Sequence, residues 1–311
     1  MSDLLVEPKI SDSKDCPDSA RQPVHETIAT HDAKIGDGLI IHRALPTKAR
    51  RMIGAWCFFD HFGPLNLTGT QGLNVAPHPH IGLQTFTWTL SGEILHRDSL
   101  GSKQVITPGK INLMTAGKGI CHSEKSLPNG ILHGVQLWIA LPDEVRNMEP
   151  EFSHYDELPT LLQDNILLTL LVGEYAGQRA PTKVYSPMLG LDLQTEVAAT
   201  TTLSLNPAFE YGVMVLAGSA SIEKENLVPG TLLYLGCGRK ELTMTLAKNA
   251  RVFLIGGEPF DEEILVWWNF VGRTRDEIVD ATSDWEHHRR FGEVKGYAGD
   301  RLTAPPVPWI K

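Results

Sequence analysis

Thiols are scarce in this chain of 311 residues: Cys16, Cys57, Cys121 and Cys237 are its only cysteines, and they stand far apart with no Cys-x-x-Cys pair. That spacing signals neither a disulfide framework nor a thiolate zinc site. A basic excess is also lacking, since 28 Lys and Arg face 37 Asp and Glu for a net charge of -9. No broad cationic face awaits a phosphate backbone or an anionic lipid surface, so direct nucleic-acid binding is not expected. Apolar runs such as NGILHGVQLWIALP are too short and too interrupted to cross a bilayer, and the opening MSDLLVEPKISDSKDCPDS has no basic start followed by an apolar stretch. A cytoplasmic protein is expected.

What is present is β-like texture. Residues 1–28 are polar and aperiodic and read as a flexible extension. From there to about residue 275, short apolar or alternating runs are broken by Gly, Pro, Asn and Asp, among them WCFFDHF, LQTFTWTLSGE, YGVMVLAGSASIE and GTLLYLGCG. Many short strands at such spacing predict an all-β sandwich or barrel. A helix is predicted only in TRDEIVDATSDWEHH, where Thr274 and Glu277 have capping-box spacing and Ile278, Ala281 and Trp285 share one face. The proline-rich GDRLTAPPVPWIK then reads as an extended tail that packs back.

The chain also looks duplicated. LSGE at 90–93 recurs as LAGS at 216–219, and VITPGKINLM at 105–114 recurs as NLVPGTLLYL at 226–235, an offset of about 120–126 residues. With the linker placed in LPDEVRNMEPEFSHYDELP, the expected domains are 29–150 and 151–275, followed by a helix and tail over 276–311.

Two residue pairs carry the chemistry. In APHPHIGLQTF, His78 and His80 project from one face of an extended strand and Pro79 from the other. In TAGKGICHSE, His122 and Glu124 repeat that spacing after a glycine turn, with Cys121 and Ser123 on the opposite face. Antiparallel strands of a small barrel can bring the pairs together, so that three neutral imidazoles and a carboxylate converge. Such a set suits Fe(II), Mn(II), Ni(II), Cu(II) or Zn(II).

HPHIGLQTFTWTLSGE and MTAGKGICHSE, with FFDHFGP at 58–64 and HRDSLG at 96–101, resemble the pirin family of the cupin superfamily. The resemblance implies two cupin β-barrels (double-stranded β-helix, or jelly-roll) in one chain and a metal, usually iron, on His78, His80, His122 and Glu124. Cupins in general carry a glutamate where this chain has Gln84, so the fourth ligand falls to Glu124 and Gln84 is assigned to a hydrogen bond behind the ligands. Counting back from Gly218 places Asn206 where the first half has His80, so the second barrel is expected to be metal-free. His61 is read as a hydrogen-bonded turn residue ahead of one at the cavity mouth, His96 as a partner behind a ligand, Arg97 and Asp98 as a local ion pair, His133 as a buried histidine bonded to backbone, and Phe86 and Trp88 as lying on the His80 face, where pocket lining and core packing account for them equally well.

The implied activity is a quercetin 2,3-dioxygenase reaction on a small aromatic or enolic, flavonol-like substrate with dioxygen, Glu124 serving as both ligand and base. Its rival is an iron-binding redox-sensing regulator that works through protein partners. A monomer is expected.

Overall fold

The computed structural model describes residues 10–15, 21–67, 72–128 and 130–309. Part of the expected flexible extension, residues 1–9 and 16–20, lies outside the described residues. The extension's described parts are paired: Ser11–Asp12 with Leu265 and Val266, and Glu26–Ala29 with Thr231–Tyr234.

The first half contributes β1 (Trp56–Asn66), β2 (Asn74–His80), β3 (Leu83–Ser91), β4 (Ile94–Asp98), β5 (Lys103–Ile106), β6 (Ile111–Thr115), β7 (Ile120–Ser126) and β8 (Ile131–Ala140). The second contributes β9 (Met188–Gln194), β10 (Ala199–Ser204), β11 (Glu210–Ala217), β12 (Ala220–Ile222), β13 (Glu225–Leu227), β14 (Thr231–Gly236), β15 (Glu241–Leu246) and β16 (Arg251–Gly257). Each half folds into a seven-stranded sheet facing a four-stranded one, in the same order. In the first barrel the small sheet runs β2-β7-β4-β5, and in the second it runs β10-β15-β12-β13. The duplication expected from the Gly and Pro-Gly repeats is therefore a duplication of topology.

Each large sheet is completed by a strand that precedes the other barrel in sequence. Glu151–Tyr155, from the start of the second half, pairs with β6 of the first barrel. Glu26–Ala29, from ahead of the first, pairs with β14 of the second. The exchange ties the barrels together, and their large sheets pack face to face over a shared core that includes Trp56, Phe59, Phe86, Trp88, Leu137, Met214, Leu232 and Phe253. This explains why β8 is buried on both faces whereas β10 and β15 alternate buried and exposed.

The helix, α1 (Arg275–Glu286), starts where expected: the Thr274 hydroxyl accepts from the Glu277 amide, and Ile278, Ala281 and Trp285 are buried. It packs, with the hairpin of β17 (Leu265–Trp267) and β18 (Phe270–Gly272), against Ile81 and Cys121 on the outer face of the first barrel's small sheet. The tail follows, Leu302 donating its amide to the Pro77 carbonyl.

Between β2 and β3 the chain turns a corner at Ile81-Gly82 and passes from the small sheet to the large one. Gly82 has φ +70°, and a Cβ there would lie 2.0 Å from the Val271 carbonyl oxygen of β18. The corner breaks the side-chain alternation that a continuous strand would have carried from His80 onward. Phe86 and Trp88 consequently face the inter-barrel core and not the His80 side, and Gln84 donates to the Thr115 hydroxyl and the Lys183 carbonyl, away from the histidines. The expected face of Phe86 and Trp88 and the expected role of Gln84 are thereby corrected, whereas core packing, the other expectation for the two aromatics, holds.

Gly82→Ala is expected to destabilise the protein by about 2–3 kcal/mol through strained backbone and a displaced hairpin. Gly109→Ala, also at positive φ (+83°) but with no atom within 4 Å of the added carbon, is expected to cost clearly less. Urea unfolding of the two variants checks this, and equal losses would refute the steric account.

Candidate metal centre

The first barrel's interior is lined by polar side chains that strand pairing brings together. β2 and β7 are antiparallel neighbours with His78 directly opposite His122, and β7 pairs on its other side with β4, placing Asp98 opposite His122 and His96 opposite Glu124. His78, His80 and His122 each offer a ring nitrogen, and the three lie within 4.8 Å of one another. Glu124 joins His122 and His96 in a second, overlapping cluster. His122 is common to both groups, which brings Glu124 next to the three histidines, and at most 2% of any of the four is exposed.

The hydrogen bonds fix where the imidazole protons are. His78 Nδ1 lies 2.8 Å from the Ala76 carbonyl and His80 Nδ1 lies 2.9 Å from the Asn269 carbonyl. A carbonyl can only accept, so both Nδ1 atoms carry the proton and both Nε2 atoms present lone pairs. His78 Nε2 is buried with no hydrogen-bond partner. Behind His122 lies a longer chain: its Nδ1 is 3.3 Å from His96 Nδ1, and His96 Nε2 is 3.2 Å from Asp98 Oδ2. Burial pushes the Asp98 carboxyl up, but hydrogen bonds from His96 and Ser102 outweigh it and hold the pKa below its ordinary value. A His96 that gives its Nε2 proton to this carboxylate can accept from His122 Nδ1, the tautomer that bares His122 Nε2 toward a cation.

His122 Nε2 then faces His80 Nε2 at 3.1 Å. At that distance the two nitrogens either share one proton in a hydrogen bond or, both bare, flank a cation. With metal–nitrogen bonds of about 2.0–2.1 Å, ligands at a right angle are about 2.8–3.0 Å apart, so the His80–His122 spacing is close to that of two ligands on a shared ion. Burial drives the histidines toward the neutral form, His78 down to about 3 and His80 and His122 well below the usual value. Glu124 is held by Gln136, whose Nε2 donates to both carboxylate oxygens at 3.1 Å. Trp138 stands edge-on to His80 with ring centroids 5.2 Å apart and stacks on Phe58 at 4.0 Å, forming an aromatic wall.

Several neighbours depart from the sequence expectation. His61 lies on β1 and not in a turn, its Nε2 2.8 Å from His133 Nε2 at the edge of the inter-barrel core. Asp98 spends its carboxylate on His96 and on the Leu100 and Ser102 amides where an ion pair with Arg97 was expected. Others agree with it. His133 is bonded to the Leu216 backbone, as a buried histidine of that kind was expected to be, and His96 does sit behind a ligand candidate. Cys121 points away from the histidines and packs against the carboxyl-terminal segments, its thiol pushed up to about 11 mainly by burial. Gln136 and the Asn269 carbonyl had no distinguishing signal in the sequence, because both act through tertiary contacts.

Strand register identifies the second barrel's counterparts. Leu203 pairs with Leu242 as His78 pairs with His122, and Ile222 pairs with Met244 as His96 pairs with Glu124. The four donors therefore correspond to Leu203, Leu205, Leu242 and Met244, all buried in an apolar core. Asn206, the counterpart obtained by counting, is exposed and one place off. Among the described residues, both clusters of metal donors lie in the first barrel.

Residues 38–139 match the family model for pirin, and residues 190–292 match that for the pirin C-terminal cupin domain. A Pseudomonas aeruginosa protein named "Putative quercetin 2,3-dioxygenase" is 49% identical over 302 residues, covering 96% of each chain. The chain belongs to the pirin family. A crystal structure of a quercetin 2,3-dioxygenase from Acinetobacter baumannii superposes with a TM-score of 0.90 at 48% identity, over 92% of this chain and 97% of that one. A bacterial pirin from Escherichia coli, solved in complex with nickel(II), shares the fold with a TM-score of 0.59 at 17% identity, over 76% of this chain and 100% of that one. This pirin is accordingly an all-β bicupin with a His/Glu cluster of metal-binding geometry in its first barrel. No helix among the described residues is long and apolar enough to cross a membrane.

The buried histidines make the metal-free protein acid-labile. His61 and His78 are held down to about 3 and His133 to about 4, in each case chiefly by burial. The unfolded chain takes up protons near pH 6.5 while the folded one does not, so stability is complete above about 6.5 and falls as pH drops from there toward 3–4. Each such histidine contributes up to about 1.4 kcal/mol per pH unit. Unfolding free energies of the apoprotein are expected to be flat from pH 8 to 7 and to fall steeply from 6.5 to 5. An unchanged value at pH 5 would refute the neutral assignments.

Proposed function

We propose that this pirin holds one divalent transition metal on His78, His80, His122 and Glu124 and acts as a dioxygenase of the quercetin 2,3-dioxygenase type. The observation that carries the metal assignment is the convergence of three buried Nε2 lone pairs, two of them 3.1 Å apart and the third without a partner. The choice of reaction draws on the Pseudomonas and Acinetobacter relatives, whose names carry that activity. Iron(II) is the proposed ion, ahead of nickel, manganese, copper and zinc, all of which such a donor set accommodates.

The bound ion would supply Lewis acidity and a coordination position for an oxygen-bearing substrate. The protein's own contributions follow from its residues. Glu124, buried and bonded to Gln136, would take the proton of a substrate hydroxyl, which would make a flavonol-like ring electron-rich. Trp138, edge-on to His80, would be an apolar neighbour for an aromatic substrate. The imidazoles, neutral by burial, add no charge, so Glu124 offsets only part of the ion's charge and leaves an attraction for an anionic substrate.

The regulator reading draws on a different observation, the near-complete burial of all four donors. A closed site can register the oxidation state of its ion without admitting a substrate, and protein partners would then read the result.

Anaerobic loading with Fe(II), followed by oxygen and quercetin, separates the two. Turnover with release of carbon monoxide, abolished in His80→Ala, is expected of the dioxygenase. His80→Ala should also lower metal affinity more than about 100-fold, beyond the 10–100-fold typical of losing an outer partner. Metal binding without turnover would favour the regulator, and wild-type protein that retains no metal would end both readings.

A further inference from the structure

The proposed function uses His122 as a ligand but leaves two buried groups behind it without a role. His96 is 3% exposed and Asp98 is fully buried, and neither belongs to the proposed ligand set. We infer that Asp98 and His96 form a positioning pair that fixes which nitrogen of His122 carries its proton, and through it the strength of the metal site. The inference rests on the metal assignment above and extends it.

The argument is one of hydrogen-bond polarity. Asp98 Oδ1 accepts from the Leu100 and Ser102 amides, each at 2.9 Å, so one side of the carboxylate is committed to the turn at the end of β4. Oδ2 alone is left for His96 Nε2, at 3.2 Å. An acceptor there requires a proton on Nε2, which makes Nδ1 of neutral His96 an acceptor in turn, and Nδ1 is the atom facing His122 Nδ1 at 3.3 Å. The proton of His122 is thereby drawn to the rear, and Nε2 is bare on the side where His78 and His80 converge. Phe152 stacks on the His96 ring with centroids 4.5 Å apart and an interplanar angle of 17°, which restrains the ring from turning. His78 and His80 obtain the same result from single backbone carbonyls. His122 instead faces a side chain, and a side chain can be inverted by substitution.

Asp98→Asn performs that inversion with little change in shape. The two turn amides hold the new side chain's oxygen in the Oδ1 position, so its NH2 group must face His96 Nε2. His96 then keeps its proton on Nδ1 and points it at His122, which can answer only by baring Nδ1 and placing its own proton on Nε2, in the metal's position. A double variant, Asp98→Asn with His96→Asn, breaks the dependence, because the amide oxygen introduced by His96→Asn can accept from His122 Nδ1 whatever residue 98 presents.

The test uses the full chain, stripped with a chelator and titrated with Co(II) against a chromophoric competitor, with the visible spectrum of bound Co(II) recorded in parallel. Asp98→Asn is expected to weaken Co(II) binding by about 10–100-fold, the range known for partners behind a ligand, and to alter the ligand-field bands. The double variant is expected to recover most of the affinity and the wild-type spectrum, while thermal unfolding of the metal-free forms stays similar for both. Wild-type affinity and spectrum in Asp98→Asn would overturn the inference and leave the metal site standing. Equal loss in both variants, with a parallel fall in thermal stability, would overturn it in favour of a purely structural role. Failure of the wild type to bind Co(II), Ni(II) or Fe(II) would overturn the inference together with the metal assignment.

Discussion

Everything distinctive about the first barrel follows from the direction of a few imidazole protons. Nδ1 of His78 and of His80 is tied to a backbone carbonyl, and that of His122 to a histidine backed by a carboxylate. The ring nitrogens that face one another can then present lone pairs to a common point, in an interior where burial disfavours protonation. Such an arrangement is costly alone and favourable around a cation. The fold concentrates unfavourable polar burial at one point and offsets it with apolar burial elsewhere.

The second barrel is the control that the duplication provides. It has the same sheets in the same order, yet its counterparts to the four donors are Leu203, Leu205, Leu242 and Met244, and its interior is aliphatic. Closing a barrel of this topology therefore requires no metal and no buried polar network. The histidines and carboxylates of the first barrel cannot be explained as a demand of the fold, which is the strongest physical reason to assign them to chemistry. The reciprocal exchange of Glu26–Ala29 and Glu151–Tyr155 gives the apolar barrel a second part in this, because the strand bearing Phe152, which stacks on His96, leads directly into the second half.

The donor residues were legible because two-residue spacing fixes a shared face within one strand, and His78 with His80 and His122 with Glu124 each lie within one strand. Legibility ended at the corner. Gly82 interrupts the alternation, so the parity that held for His80 misplaced Gln84, Phe86 and Trp88. The pattern TFTWT also misleads in a more general way. Alternating threonine and aromatic residues suggest hydroxyls facing water, but Thr85, Thr87 and Thr89 are all buried in the barrel, and the aromatics between them fill the interface with the other barrel. A sheet with two buried faces removes the solvent reference on which such readings depend. Asn206 failed for a related reason: counting from a glycine assumes equal loops, and the two barrels differ by one residue between the second and third strands, so only the register Leu203–Leu242 locates the counterpart.

The groups that complete the site come from beyond the donor strands, and this bears on why a bicupin carries its long carboxyl-terminal segment. The Asn269 carbonyl that orients His80 lies between β17 and β18, and Phe270 bridges to Ile81 at the same corner. Helix α1, through Ile278, Ala281 and Trp285, and the following Phe291 then pack with Cys121 around that hairpin. A backbone carbonyl is a rigid acceptor only if its segment is held, so the apolar packing of residues 265–309 is what gives the His80 hydrogen bond a fixed direction. Loosening this cover would free the His80 ring to turn and would release its Nε2 from the other two nitrogens without altering a single donor residue. The part of the chain that looks least like a metal site thus sets the geometry of one third of the histidine cluster.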